Sequence, residues 1–383
     1  MGTLPASEQV QAALATVNDP EIRRPITDLG MIKSVDISSS GQITVAVFLT
    51  VAGCPLRDKI TRDVTAAVSA LPGVTGVSVE LDVMTQEQRQ ELQTRLRGER
   101  GGGPVREVPF AKPQSLTRVY AIASGKGGVG KSSVTVNLAA AMSAAGLSVG
   151  VIDADIYGHS VPRMLGVTGL PTKVEDMIMP PSAHGIRVIS IGMFTGGNRP
   201  VVWRGPMLHR AVEQFLADVY WGDLDILLLD LPPGTGDVAI SVAQLVPNAE
   251  ILVVTTPQVA AAEVAERAGM ISSQTHQRVT GVVENMSGLP CPHCGERIDV
   301  FGSGGGSRVA AALTASLGYE IPVLGEVPID VRLREGADTG LPLVLADPDT
   351  PAAKELRQIA DRLGHRTRGL AGRSLGLTPV AGH

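Results

Sequence analysis

Aromatic residues are scarce, at 3% of 383 residues. A core must therefore be built from Val, Ile, Leu and Ala, which suits a parallel sheet covered by helices. Cysteine is almost absent: three thiols exclude a secreted disulfide framework and make a reducing cytoplasm the expected location. There is no apolar stretch of about 18 residues and no basic-then-apolar leader, so neither a membrane span nor a signal peptide is read. Charge of one sign is also lacking. The chain has 33 basic and 38 acidic residues, a net charge of −5, and no long run of either sign. A general nucleic-acid footprint is excluded, while a local basic patch stays open. What is present is a composition 44% hydrophobic and 19% charged, which excludes wholesale disorder.

The first 96 residues read as a small α+β domain. Residues 6–17 and Leu56 to Leu71 have helical spacing, Ile43 to Thr50 and Val77 to Val83 read as strands, and Gln86 to Arg97 as a polar helix. Glycines and prolines over 97–117 mark a flexible linker. From Val119 the pattern changes to short buried runs: Val119 to Ala123, Val149 to Ile152, Ile186 to Ile191, Ile226 to Leu229, Ile251 to Val254 and Val279 to Val283. Helical stretches such as Ser132 to Ala145 and Val259 to Gln274 separate them. Alternation of this kind predicts an α/β domain over 118–365 with a doubly wound, mostly parallel sheet. Its last helix is expected at Pro351 to Leu363, and residues 366–383 read as a disordered tail. Gly302 to Gly306 lacks dinucleotide-fingerprint spacing and is expected to open a helix near Ser307.

Within this domain Gly125-Lys-Gly-Gly-Val-Gly-Lys131-Ser132 fits G-x-x-x-x-G-K-[ST], between a buried strand and an amphipathic helix. The glycines (Gly125, Gly127, Gly128, Gly130) let backbone N–H groups around Val129 turn inward onto phosphate oxygens. The helix N-terminus through Ser133 adds positive potential. Lys131 is expected at the β- and γ-phosphates and Ser132 on Mg²⁺. The sequence thus reads as a P-loop NTPase binding ATP. Asp230, ending the run Ile226-Leu-Leu-Leu-Asp230, is expected on the ligand side of the sheet, supporting a Mg²⁺ shell. The loop Pro232 to Asp237 is placed to sense the γ-phosphate. Asp153 and Asp155 follow another strand; Asp155 is the favoured residue for orienting the attacking water, with Asp153 open to a capping role. Lys126 is a second lysine that points away from its own cradle. A facing subunit's copy can reach the γ-phosphate as an arginine finger does.

These residues carry a resemblance. GKGGVGKSS with Lys126 is similar to the deviant-Walker ATPases, the group containing MinD, ParA and nitrogenase iron protein. Trp221 to Asp237, Asp153 to Ser160, and Gly281 to Ser287 with Cys291-Pro-His-Cys294 resemble the Mrp/ApbC iron–sulfur carrier family, over about 118–365. Asp19-Pro-Glu21, Asp28 to Met31 and Thr50 to Pro55 resemble the SufT-like domain. The resemblance implies an ATP-dependent sandwich homodimer, with Lys126 acting across it. It implies that Asn285 reads the adenine edge and that the loop containing Pro328 covers the base. From sequence alone, Asn285 is only a polar residue at a strand end, and turn capping is the favoured reading.

Cys291 and Cys294 supply half of a four-thiolate set, and a symmetric dimer doubles them to four. That fits a bridging [4Fe–4S] cluster or a tetrahedral zinc site. A C-P-H-C redox pair and inert thiols are the other readings. Cys54 reads as a buried structural cysteine, with a metal-contacting role as the alternative. The function expected is a slow Mg²⁺-dependent ATPase that carries an iron–sulfur cluster to apo-proteins, working with cluster assembly machinery. The alternative is a positioning ATPase of the MinD or ParA type.

Overall fold

A computed structural model of the chain describes residues 4–20, 22, 24–49, 57–85, 87–88, 92, 107–112, 114–155, 158–194, 205–234, 237–258, 272, 275, 277–291 and 293–364. Cys54 and its loop, most of the Gln86 to Arg97 helix, most of the linker, most of the Val259 to Gln274 helix and the 366–383 tail lie outside the described residues.

The described chain forms two compact units. The first contains α1 (Ser7–Leu14), β1 (Ile32–Ile37), β2 (Gln42–Leu49), α2 (Arg57–Ser69) and β3 (Gly76–Val83). β1 pairs antiparallel with β2, and β2 pairs parallel with β3. The parallel pair needs a crossover, which α2 provides. Its Ile60, Val64 and Val68 recur every four residues and are buried on one face. By contact, this unit also includes residues of Gly169–Ser182 and Arg210–Gly222. There the hairpin of β6 (Thr172–Val174) and β7 (Met177–Met179) buries Val174, Met177 and Met179 in the same core as Val10, Ile43 and Val64. The hairpin therefore groups by packing with the first unit, although it lies far along the chain from that unit's other strands.

The second unit is built on an eight-stranded sheet of order β15-β12-β11-β4-β10-β5-β9-β8. Its strands are β4 (Arg118–Ala123), β5 (Val149–Asp153), β8 (Ser182–Ala183), β9 (Ile186–Ser190), β10 (Ile226–Asp230), β11 (Glu250–Thr255), β12 (Val279–Asn285) and β15 (Val323–Val327). The pairs from β15 through β9 are parallel. The doubly wound parallel sheet expected from the buried runs is what forms. The chain winds from β4 out to β5 and β9, returns to β10, then winds the other way through β11, β12 and β15. The reversal puts the carboxyl end of β4 at the topological switch point, where open α/β sheets bind ligands.

α3 (Lys131–Ala144) follows β4 and is buried on almost every face, from Val134 to Met142. Its apolar surroundings include Tyr120, Val151, Leu228 and Leu356 of one core. The later helices are α4 (Val161–Met164), α5 (Gly205–Ala217), α6 (Asp237–Leu245), α7 (Gly305–Leu317), α8 (Val331–Thr339), α9 (Leu343–Ala346) and α10 (Pro351–Gly364). A short hairpin, β13 (Leu289–Pro290) with β14 (Arg297–Ile298), follows β12 directly. Among the described residues, no helix is long and apolar enough to cross a membrane.

Candidate nucleotide site and thiol hairpin

The loop Ser124 to Gly130 leaves the end of β4 and enters α3. Gly128 and Gly130 have φ of 79° and 76°, the left-handed region that side chains disfavour. A Cβ on Gly130 would also collide with the Asn285 side chain. The loop borders a cavity of about 200 Å³, lined from Lys126 to Ser133 and completed by Ser124, Asp155, Ser160, Met164 and Pro233. The first amides of α3 have no intrahelical partners and carry the positive end of the helix dipole, which suits an anion. Gly125, Asn285 and Pro328 do not line this cavity.

Behind the loop stands Asp230, fully buried at the end of β10. Register places it beside Ile122 on one side and Asp153 on the other. Its Oδ2 accepts from Ser132 Oγ at 2.6 Å and pairs with Lys131 Nζ at 2.8 Å. Its Oδ1 accepts from Thr135 Oγ1 at 2.7 Å. Such a buried charge is tolerated because cation and donors surround it, and removing one partner of a buried pair costs about 3–5 kcal/mol. The structure thus brings Lys131, Ser132 and Asp230 together. Two hard oxygens, Ser132 Oγ and Asp230 Oδ2, stand side by side, a donor set that fits Mg²⁺ with its remaining waters. Thr135 was missed by the sequence reading. Its signal is helical spacing: position 135 is one turn beyond Ser132 and shares its face.

The two acids after β5 have different surroundings. Asp153 is fully buried and its oxygens accept from Asp155 N–H, Val161 N–H and Ser190 Oγ at 3.1–3.3 Å. Burial pushes its carboxyl well above the ordinary 3.8, and the charge of Asp230 adds to the rise. Asp153 ties the β5 end to α4 and β9. Asp155 lines the cavity, and its Oδ1 accepts from Gly158 N–H at 3.0 Å. In the loop after β10, Gly234 N–H is committed to Ser124 O at 2.8 Å; Thr235 and Gly236 lie outside the described residues.

Lys126 and Lys131 both line the cavity but have different partners. Lys126 Nζ donates to Gln258 Oε1, beyond β11, at 2.5 Å. Asn285 ends β12, buried, with Nδ2 donating to Val129 O at 2.8 Å. It braces the loop from behind. Pro328 follows β15, half-buried, between Val327 and Ile329, whose backbone continues the pairing to Ser287 and Gly288.

Cys291 and Cys294 sit in the turn of the β13–β14 hairpin, half-buried and exposed respectively. Cys291 N–H donates to Glu296 O at 2.8 Å, and Gly295, at φ 74°, donates to Cys291 O at 2.9 Å. The backbone N–H of Cys294, then that of His293, and then the Cys294 side chain lower the pKa of the Cys291 thiol from its ordinary 9.0. Amides aimed at sulfur stabilise thiolate, the form that binds metal. Among the described residues, no group of three or more His, Cys, Asp or Glu side chains gathers where it can hold a metal ion. The hairpin offers two soft donors and no more.

Switch-point loop, buried Lys131–Asp230 pair and hydroxyl-lined helix start define a P-loop nucleotide-binding protein. Residues 115–364 match the family of NUBPL iron-transfer P-loop NTPases, and residues 7–80 match the iron–sulfur cluster assembly protein family. The chain belongs to this iron-transfer NTPase family. Over 97% of its length it is 64% identical to the iron-sulfur cluster carrier protein of Mycobacterium tuberculosis, covering 96% of that protein. It is 39% identical over 93% of its length to the protein of that name in Synechocystis, again covering 96% of it. Among solved structures it is similar to a nucleotide-binding protein in complex with ADP from Archaeoglobus fulgidus. That similarity has 37% identity and a TM-score of 0.50, over 58% of this chain and 86% of the other.

Proposed function

We propose that the chain is a cytoplasmic, Mg²⁺-dependent ATPase that carries an iron–sulfur cluster, as cargo, to apo-proteins. ATP binds over Gly125 to Ser133 with its phosphates on the α3 amides and Lys131. Ser132 and Asp230 hold Mg²⁺, which neutralises phosphate charge when bound. Asp155, on the cavity wall, orients the attacking water. Asn285 and Pro328 flank the base. Two copies meet face to face, and Lys126 leaves Gln258 to reach the partner's γ-phosphate. Turnover is slow because the nucleotide acts as a switch. Cys291 and Cys294 from each copy hold one [4Fe–4S] cargo; zinc is the competing occupant of the same thiols. The sequence division into 1–96, linker 97–117, ATPase 118–365 and tail 366–383 belongs to this reading, supported by family matches at 7–80 and 115–364.

One observation carries the proposal. The two-thiol hairpin follows directly on β12, the strand whose last residue, Asn285, bonds the phosphate loop. The test is anaerobic reconstitution with iron and sulfide, followed by incubation with an apo-ferredoxin. The chain is expected to hold the cluster and yield holo-ferredoxin, and Cys291→Ala to lose iron and sulfide while binding ATP normally. Normal cluster content in that variant would refute the ligand role.

A further inference from the structure

One side chain fastens the thiol hairpin to the sheet. Arg297 lies in β14, in register with Pro290, the residue before Cys291. Its Nε donates to Asp299 Oδ1 at 2.9 Å, within its own strand's extension. Its two remaining nitrogens leave the hairpin. Nη1 donates to Glu326 Oε2 at 3.0 Å and Nη2 to Ser287 Oγ at 3.0 Å. Glu326 belongs to β15 and pairs in register with Glu284 of β12. Ser287 Oγ lies 2.5 Å from Glu284 Oε1 and 3.1 Å from Glu326 Oε2, so its single proton goes to the nearer carboxylate, that of Glu284. Glu284 is fully buried, and its other oxygen accepts the Gly306 N–H in the first turn of α7 at 2.5 Å.

The place is shaped for this arginine. Gly288 has φ 81°, and a Cβ there would lie 2.6–3.0 Å from Arg297 Nε, Cγ and Cδ. Any larger residue at 288 is strained and displaces the guanidinium. A guanidinium presents its donors in a fixed planar fork and so meets the carboxylate, the hydroxyl and Asp299 in one set geometry, whereas an ammonium is a point charge on a flexible stem. On the sheet side, the neighbour of Glu284 is Asn285, which bonds Val129 O in the phosphate loop. A connected set of groups thus runs from the loop through β12 to the guanidinium of Arg297, whose chain neighbour Glu296 accepts the Cys291 N–H. A displacement of the β12 end would carry Ser287 and Glu284 with it, and Arg297 is the side chain bonded to both Ser287 and the hairpin's own strand.

We propose that Arg297 is the positioning residue that couples nucleotide binding to metal binding at Cys291 and Cys294. The inference rests on the cargo-site reading above. Its test is thermodynamic linkage in the full-length chain, because a coupling between two sites is reciprocal. Zinc affinity is measured by chelator competition on metal-free protein with and without Mg-ADP. ADP affinity is measured with and without zinc. The wild type is expected to show the same factor both ways, about five-fold or more. Arg297→Gln and Arg297→Lys should reduce that factor below about two-fold, with ADP affinity in metal-free protein and zinc stoichiometry unchanged. A purely structural role would alter stability and leave the factor intact. A wild-type factor in both variants overturns the proposal. If zinc binds the thiols of the wild type and ADP has no effect on it, the coupling itself is refuted. If zinc binding survives Cys291→Ala, the cargo-site reading fails instead.

Discussion

Thr135→Val removes one hydroxyl from the buried cluster, whose nearer partner is Asp230 Oδ1 at 2.7 Å and whose other is the Lys131 carbonyl at 3.0 Å. Valine matches threonine in shape, so no cavity opens at this buried position. The change removes the hydroxyl that donates to Asp230 Oδ1 at 2.7 Å, with both groups inaccessible to solvent. A hydrogen bond to a charged group contributes about 1.5–3 kcal/mol, and here a carboxylate oxygen is left short of a donor with no water to replace it. For a domain of this size, a loss of about 2 kcal/mol lowers the melting temperature by roughly 4–8 °C. Thr135→Ser keeps the donor and sacrifices one methyl group, about 0.8 kcal/mol. Differential scanning calorimetry of the full chain reads the effect in the transition that moves on adding Mg-ADP, which assigns it to the ATPase unit. The valine variant should lose several degrees and the serine variant about a third as much. Equal shifts, or a valine shift under about 1 °C, would refute the assignment of Thr135 as a support of Asp230.

Two further outcomes follow from the same site. The native Asp153 carboxyl titrates well above its ordinary value, so between the two values the folded state holds more protons than the unfolded state. Its contribution to stability is complete below the unfolded value, falls by up to about 1.4 kcal/mol per pH unit through the window, and is gone above the native value. Urea unfolding of wild type and Asp153→Asn across that window should show the difference moving in favour of the variant as pH rises; a constant difference would contradict the buried-carboxyl account. Lys126→Ala should slow ATP hydrolysis at least about ten-fold while ATP affinity changes less than about two-fold, since the lysine is asked to act on the transition state across a dimer. A wild-type rate would remove it from the chemistry.

Much of this was legible in the residues themselves. The continuous apolar runs at Ile226 to Leu229 and Ile251 to Val254 gave buried parallel strands, because only strands covered on both faces need no polar alternation. The phosphate loop was legible because glycine spacing, Lys131 and Ser132 all answer one requirement. Other elements left weaker marks. β1 reads Ile-Lys-Ser-Val-Asp-Ile, too polar for the buried-strand pattern, and forms because β2 offers it an edge. The β6–β7 strands have three residues each, too few for a period to register. The Gly305 to Leu317 helix starts two residues before the expected Ser307, with Gly304 in the left-handed conformation as its cap. Within the site, the partners that give Thr135, Gln258 and Arg297 their roles include Asp230, Lys126 and Glu326, which lie 95, 132 and 29 positions away and which local pattern does not encode, although the spacing of Thr135 from Ser132 marks its face. Asp153 and Asp155 are alike in sequence; only burial separates the bonded strand end from the cavity wall.

The central claim is that one cargo is shared by two chains, each contributing Cys291 and Cys294. Iron and sulfide content, measured with molecular mass by light scattering after strictly anaerobic reconstitution, tests it most directly. The account predicts a dimer with about two irons and two sulfides per chain, and loss of both the cargo and the cargo-dependent dimer in Cys294→Ala. A monomer that retains a full cluster, or a dimer that holds none, would contradict it.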